Sequence, residues 1–238
     1  MNKDDLSKAF LALAALVSRL RGPGGCPWDV QQTYDTIKTY LLEEAYEVLD
    51  AVESGSPEDV CHELGDLLFQ ILFLASIAEE RGEFDLLDVL EEITKKMINR
   101  HPHVFGRTPL KSAEEVAENW EKIKRREMGA PENSLSLLQK VPVNFPALLR
   151  AHRLSERASK MGPEASDGEE IWGKVKGGLE ALGKSMSGQD KAQIGDEIGH
   201  LLFCLADLAR HWGLNGEHLL RKANEEFLQA FEETGEVE

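Results

Sequence analysis

Five carboxylates sit in two short runs in the first half of the chain: Glu43, Glu44 and Glu47 form an E-E-x-x-E group, and Glu63 with Asp66 forms E-x-x-D. On a helix, residues three or four apart share a face, so each run presents converging acids. Gly55 marks a turn between the runs. Each run lies about ten residues from it, which is roughly 14 Å along a helix at 1.5 Å rise per residue. Folded back as an antiparallel hairpin, the two runs sit side by side. Carboxylates crowded in a mostly apolar bundle raise one another's pKa values unless a cation joins them. An all-oxygen donor set without Cys or His favours a hard ion, Mg²⁺ or Mn²⁺, bound partly through substrate phosphates. Taken singly, either run is what a solvated helix face carries. Two runs level with each other, with Asp66 set among Leu64, Leu67, Leu68 and Phe69, are far more specific, because a lone acid in apolar surroundings is unusual.

The elements that must position these acids read as helices. Asp29 with Gln32 three residues on predicts a helix start, and Ile37, Tyr40, Leu41, Ala45, Val48 and Leu49 follow at helical spacing up to Gly55. Ser56-Pro57-Glu58-Asp59 opens the next helix with a capping Ser, a Pro at the first helical position and acids in the first turn. It is expected to run to about Gly82. Asp85 to Arg100 is a third, stopped by Pro102; Ser112 with Glu115 predicts a capping box for a fourth, through Trp120 and Ile123 to Gly129. A helix over residues 4 to 20 precedes the set. Residues 130 to 146, with Pro131, Pro142 and Pro146, read as a linker. Beyond it, helices are expected over Ala147 to Met161, Asp167 to Ser187, Gln189 to Trp212 and Asn215 to Phe231. The fold class is all-α, in two similar helical-bundle modules at 1–129 and 147–238.

The second module copies the first. Glu63-Leu64-Gly65-Asp66-Leu67-Leu68-Phe69 matches Glu197-Ile198-Gly199-His200-Leu201-Leu202-Phe203 at an offset of 134. Composition narrows the partners. A net charge of −16 over 238 residues argues against nucleic acid, whose binding draws on Lys and Arg facing phosphates. A small anionic substrate stays possible where a metal ion screens the acids. No run of eighteen apolar residues suggests a membrane span. Leu6 to Leu20 carries Ser, Lys and Arg and lacks a cleavage-site pattern, so the cytoplasm is the expected location. Cys26, Cys61 and Cys204 are odd in number and widely spaced, and read as buried thiols.

Several motifs in order, Cys26-Pro27-Trp28-Asp29, the acids at 43 to 47, E-L-G-D-L-L-F at 63 to 69, Arg100-His101-Pro102-His103-Val104-Phe105 and Trp120-Glu121-Lys122-Ile123-Lys124, resemble the N-terminal repeat of the MazG nucleoside triphosphate pyrophosphohydrolases. Residues 146 to 231 resemble the family's C-terminal repeat. The resemblance implies that Glu44, Glu47, Glu63 and Asp66 hold Mg²⁺, with Mn²⁺ a substitute, and that Glu43 completes the shell or positions the attacking water. It also implies cleavage of a nucleoside triphosphate between the α and β phosphates, giving monophosphate and pyrophosphate. Lys96 and Arg100 would supply further cations for the triphosphate, although a basic last turn also complements the helix dipole. Trp120 would stack on the base, although a Trp packed into the core is at least as common, and Trp28 is a weaker candidate for substrate binding.

The chain departs from the family in its second repeat. The offset of 134 carries Glu43, Glu44 and Glu47 onto Gly177, Gly178 and Ala181, and Glu63 and Asp66 onto Glu197 and His200. One of five carboxylates survives, so the second module is expected to pack or to mediate dimerisation. A homodimer is expected because short helical hairpins bury too little alone. A non-catalytic nucleotide sensor and a redox di-metal bundle are the competing readings. Glu197 and His200 lack the paired E-x-x-H motif that the latter needs.

Overall fold

The computed structural model describes residues 2–127, 134–161 and 167–233. Every regular element among them is a helix. The chain divides into two units, residues 1–128 and 129–238.

In the first unit, α1 (Lys3–Arg21), α3 (Tyr34–Ser54) and α4 (Pro57–Glu80) enclose the core. Val17, Ile37, Leu72, Phe73 and Ile77 are its buried centre, with Phe10, Leu13, Tyr40, Leu68 and Phe69 packed around them. Helices α3 and α4 pair along an extensive hairpin. Gly55 closes α3 at φ 93°, a left-handed conformation that a residue without Cβ adopts without strain. Ser56 opens α4 by accepting from the Asp59 N–H at 3.2 Å, with Pro57 at the first helical position. α4 is long and apolar enough to cross a bilayer, yet it carries Glu63 and Asp66 and packs on α1, α3 and α5. Helix α5 (Leu86–Arg100) starts at a reciprocal Asp85 and Asp88 cap. The short α6 (Pro102–Phe105) and α7 (Ala113–Glu127) complete the unit.

Two local expectations change in this unit. The helix expected from Asp29 begins at Tyr34, where the Thr33 N–H donates to Thr36 Oγ1 at 2.9 Å. Asp29 lies instead in the short α2 (Pro27–Val30), and it is a tertiary contact that holds it there. Arg21 is 8% exposed and binds Glu80 at 2.6 Å through both Nε and Nη2. Its Nη1 donates to the carbonyls of Asp29 at 2.6 Å and Gln32 at 3.2 Å. Glu115 reaches back to the Lys111 N–H at 2.7 Å, one residue ahead of the cap that Ser112 forms. The expected end of α7 at Gly129 lies outside the described residues.

The second unit has α8 (Ser134–Gln139), α9 (Ala147–Ser159), α10 (Gly168–Gly188), α11 (Lys191–His211) and α12 (Gly216–Glu233). The offset of 134 lays α10 over α3 from first residue to last. Residues 134–141 do not behave as a linker. The Leu137 carbonyl accepts from Arg157 Nη1 at 2.6 Å and Val141 is buried, so this segment packs against α9. Residues 130–133 lie outside the described residues. The cysteines also differ from expectation: Cys61 is exposed, and Cys26 and Cys204 are half-buried.

Candidate metal centre

Packing of α3 along α4 brings the two acidic runs together. Carboxylate oxygens of Glu44, Glu47 and Glu63 lie within 4.8 Å of one another. A second group overlaps the first at Glu63: His62, Glu63 and Asp66 each offer an atom within the same span. His62 Nδ1 stands 3.4 Å from Glu63 Oε1 and 3.5 Å from Asp66 Oδ2. Glu44, Glu63 and Asp66 are half-buried, whereas Glu43 and Glu47 are exposed.

The electrostatics match the crowding. Partial desolvation, then the charges of Glu44, Glu63 and Glu43, push Glu47 above the ordinary glutamate range. Repulsion of this kind persists until a proton or a cation relieves it. The donor set fits a hard divalent ion, since three carboxylates from two helices, Glu44, Glu47 and Glu63, converge within 4.8 Å, while Asp66 joins them only through the group it forms with His62 and Glu63. Two nearby residues escape a reading based on acids alone. His62 adds an imidazole, and Gln70 donates from Nε2 to Glu44 Oε1 at 3.2 Å. The available signal was spacing, because Gln70 follows Asp66 by four residues and Glu63 by seven on the same helical face.

Arg100 and Trp120 belong to a separate cluster on α5 and α7. Arg100 pairs with Glu127 through Nε, at 3.0 Å, and Nη2, and its guanidinium lies 5.2 Å from the Trp120 ring centroid. This pairing holds the Glu127 carboxyl below the usual range. His101 meets Trp120 edge-on at 5.0 Å. Trp120 is half-buried between them, so its ring packs on protein side chains on these sides. Lys96 is exposed one turn before Arg100. Trp28 is 55% exposed and meets Tyr40 edge-on at 5.8 Å, which puts it one helical turn before Glu44. The Arg21 clamp on α2 fixes that approach.

The corresponding place in the second unit is built differently. Gly178 faces Leu201, whose Cδ1 would lie 3.4 Å from a Cβ added there. Glu197 is half-buried and His200 exposed. Neither belongs to a metal-sized group of three among the described residues.

Comparison with known proteins places the acids in a wider setting. The model of the MazG nucleotide pyrophosphohydrolase domain matches residues 32–105, from just before α3 to the end of α6. The nucleoside triphosphate pyrophosphohydrolase of Escherichia coli K12 is 40% identical over 231 residues, spanning 94% of this chain and 86% of that protein. The nucleoside triphosphate pyrophosphohydrolase/pyrophosphatase MazG of Thermotoga maritima is 36% identical over 228 residues, 96% of this chain and 86% of its own. The crystal structure of a mazG-related protein from Thermotoga maritima matches 48% of this chain and 97% of its own at 28% identity, with a TM-score of 0.42.

Proposed function

The chain belongs to the MazG nucleoside triphosphate pyrophosphohydrolases, and from that premise we propose that it hydrolyses its substrate at the α3–α4 carboxylates, between the α and β phosphates, with Mg²⁺ as the working ion. The observation that carries this reading is the convergence of Glu44, Glu47 and Glu63 within 4.8 Å. Glu44, Glu47, Glu63 and Asp66 are the proposed ligands, and Mn²⁺ is a workable substitute because the donors are oxygens. A bound divalent ion supplies Lewis-acid polarisation of phosphoryl oxygens and neutralises developing charge.

The protein's own residues do the rest. Glu43, one residue from Glu44 and exposed, is proposed to orient the attacking water and take its proton. Lys96 and Arg100 would meet the phosphates beyond the ion's reach. Arg100 lies as far along α5 from its start as Asp66 lies from the end of α4, which favours their meeting one substrate. Substrate would have to draw Arg100 away from Glu127. Trp28 and Trp120 are the proposed flanks for the base, and Trp28 is the more open of the two.

A homodimer is proposed as the working form. Leu87, Leu90, Ile93 and Ile98 on α5 are exposed, and Leu90 and Ile98 line a shallow trough together with Glu91, Thr94, Lys95 and Asn99. Apolar faces of this kind mark interaction surfaces. The acidic charge and the small substrate suit a cytoplasmic enzyme that does not engage nucleic acid.

Incubation with Mg²⁺ and nucleoside triphosphates tests the proposed bond. Monophosphate and pyrophosphate are the expected products; orthophosphate would show cleavage elsewhere.

A further inference from the structure

Gln70 stands out among the polar residues of α4 because it is 9% exposed in an otherwise apolar stretch. Its Nε2 donates to Glu44 Oε1 at 3.2 Å. Its Oε1 is buried and accepts nothing from the described residues. The chemistry of the partner sets the orientation: a carboxylate only accepts, so the amide nitrogen faces Glu44 and the oxygen turns away from it. Buried amide oxygens are rarely left without a donor, because the lost hydration is not recovered. A Gln kept only for packing would do better as an apolar residue of the same size.

The second repeat supplies a control within the same chain. The offset of 134 takes Gln70 to Cys204, and it takes its partner Glu44 to Gly178. The neighbours are retained, since Leu68 and Phe69 correspond to Leu202 and Phe203. Where the carboxylate is gone the amide is gone as well, while the surrounding apolar frame persists.

We propose that Gln70 is a positioning residue of the metal centre: its amide N–H holds Glu44 in an ion-facing orientation, and its Oε1 accepts a hydrogen bond from a water of the ion's hydration shell. Mg²⁺ keeps several of its waters when bound to proteins, so donors of this kind come with the ion. Outer partners that orient a ligand and accept from bound water are a regular part of metal sites. The inference rests on the assignment of Glu44 as a ligand.

The test is a Mn²⁺ titration of the full chain without nucleotide, followed by the electron paramagnetic resonance signal of the free ion. Gln70→Met keeps the approximate volume and removes both amide groups. The expected result is a dissociation constant raised about 10- to 100-fold, the usual cost of losing such a partner, with the metal-free protein still folded by circular dichroism. Gln70→Asn, one methylene too short to reach Glu44, is the second variant and is expected to behave alike. A purely structural Gln70 would shift the melting temperature and leave the Mn²⁺ constant unchanged, which overturns the proposal. Glu44→Gln, measured alongside, separates two failures. Loss of Mn²⁺ in Glu44→Gln with parental binding in both Gln70 variants refutes the Gln70 assignment alone. Parental binding in Glu44→Gln refutes the metal assignment beneath it.

Discussion

Helices α3 and α10 have the same length and the same place in their repeats, and each pairs with the next helix in an extensive hairpin, yet their inner faces hold different chemistry. In the first hairpin three carboxylates approach one another within 4.8 Å and Glu47 is pushed toward protonation. In the second, Gly177, Gly178 and Ala181 replace the acids and Leu201 packs against Gly178. A hairpin of this kind therefore does not need the acids to form. Only the first unit keeps all five acids, as the proposed metal centre requires.

The largest expected contrast is in turnover. Glu63→Gln should lower kcat/KM by more than about 100-fold, beyond the usual range for merely supporting residues, whereas Glu197→Gln, its counterpart, should leave steady-state kinetics unchanged. Equal losses in both would break the comparison. A smaller contrast concerns stability. Nothing lies within 4 Å of a Cβ built on Gly177, so Gly177→Ala should stabilise the second unit by about 0.5 to 1 kcal/mol through helix propensity and leave activity untouched; chemical denaturation measures it. The smallest effect is a pH dependence in the second unit. Burial alone would raise Glu156, but hydrogen bonds from Arg153 and Lys160 outweigh it and bring its carboxyl down to about 2. A depressed carboxylate stabilises above its ordinary value, and that contribution fades as pH falls from the ordinary 4.5 toward about 2. Glu156→Gln should therefore be less stable to chemical denaturation than the parent at pH 7, by under about 1 kcal/mol once solvent screening is allowed for, with the gap closing in acid. A gap that widened in acid would reverse the sign.

The capping residues explain why so much of the helical layout can be read directly. Ser56, Asp85 and Ser112 cap from their own side chains, which is local chemistry carried by local sequence. Asp29 misleads for the opposite reason: Arg21, eight residues earlier, binds its carbonyl and together with Glu80 fixes the short α2. The prolines of the connecting segment suggest a linker, but Val141 and the Leu137 carbonyl engage α9. Such partners are set by tertiary packing and leave no periodic trace. Within the centre, the acids announce themselves because two helically spaced runs lie at equal distances from the Gly55 turn. Gln70 shares the helical face of Glu63 and Asp66, but its spacing is a weaker signal, since a lone amide or imidazole on an apolar helix reads as an ordinary polar position.

The central claim is that the divalent ion sits on the α3–α4 hairpin and not on its copy. Paramagnetic broadening of backbone amide resonances by substoichiometric Mn²⁺ tests it most directly. The account predicts selective loss of signals around Glu44, Glu47, Glu63 and Asp66 with those around Gly178, Glu197 and His200 retained. Broadening centred on α10 and α11, or spread evenly over the acidic surface, would contradict it.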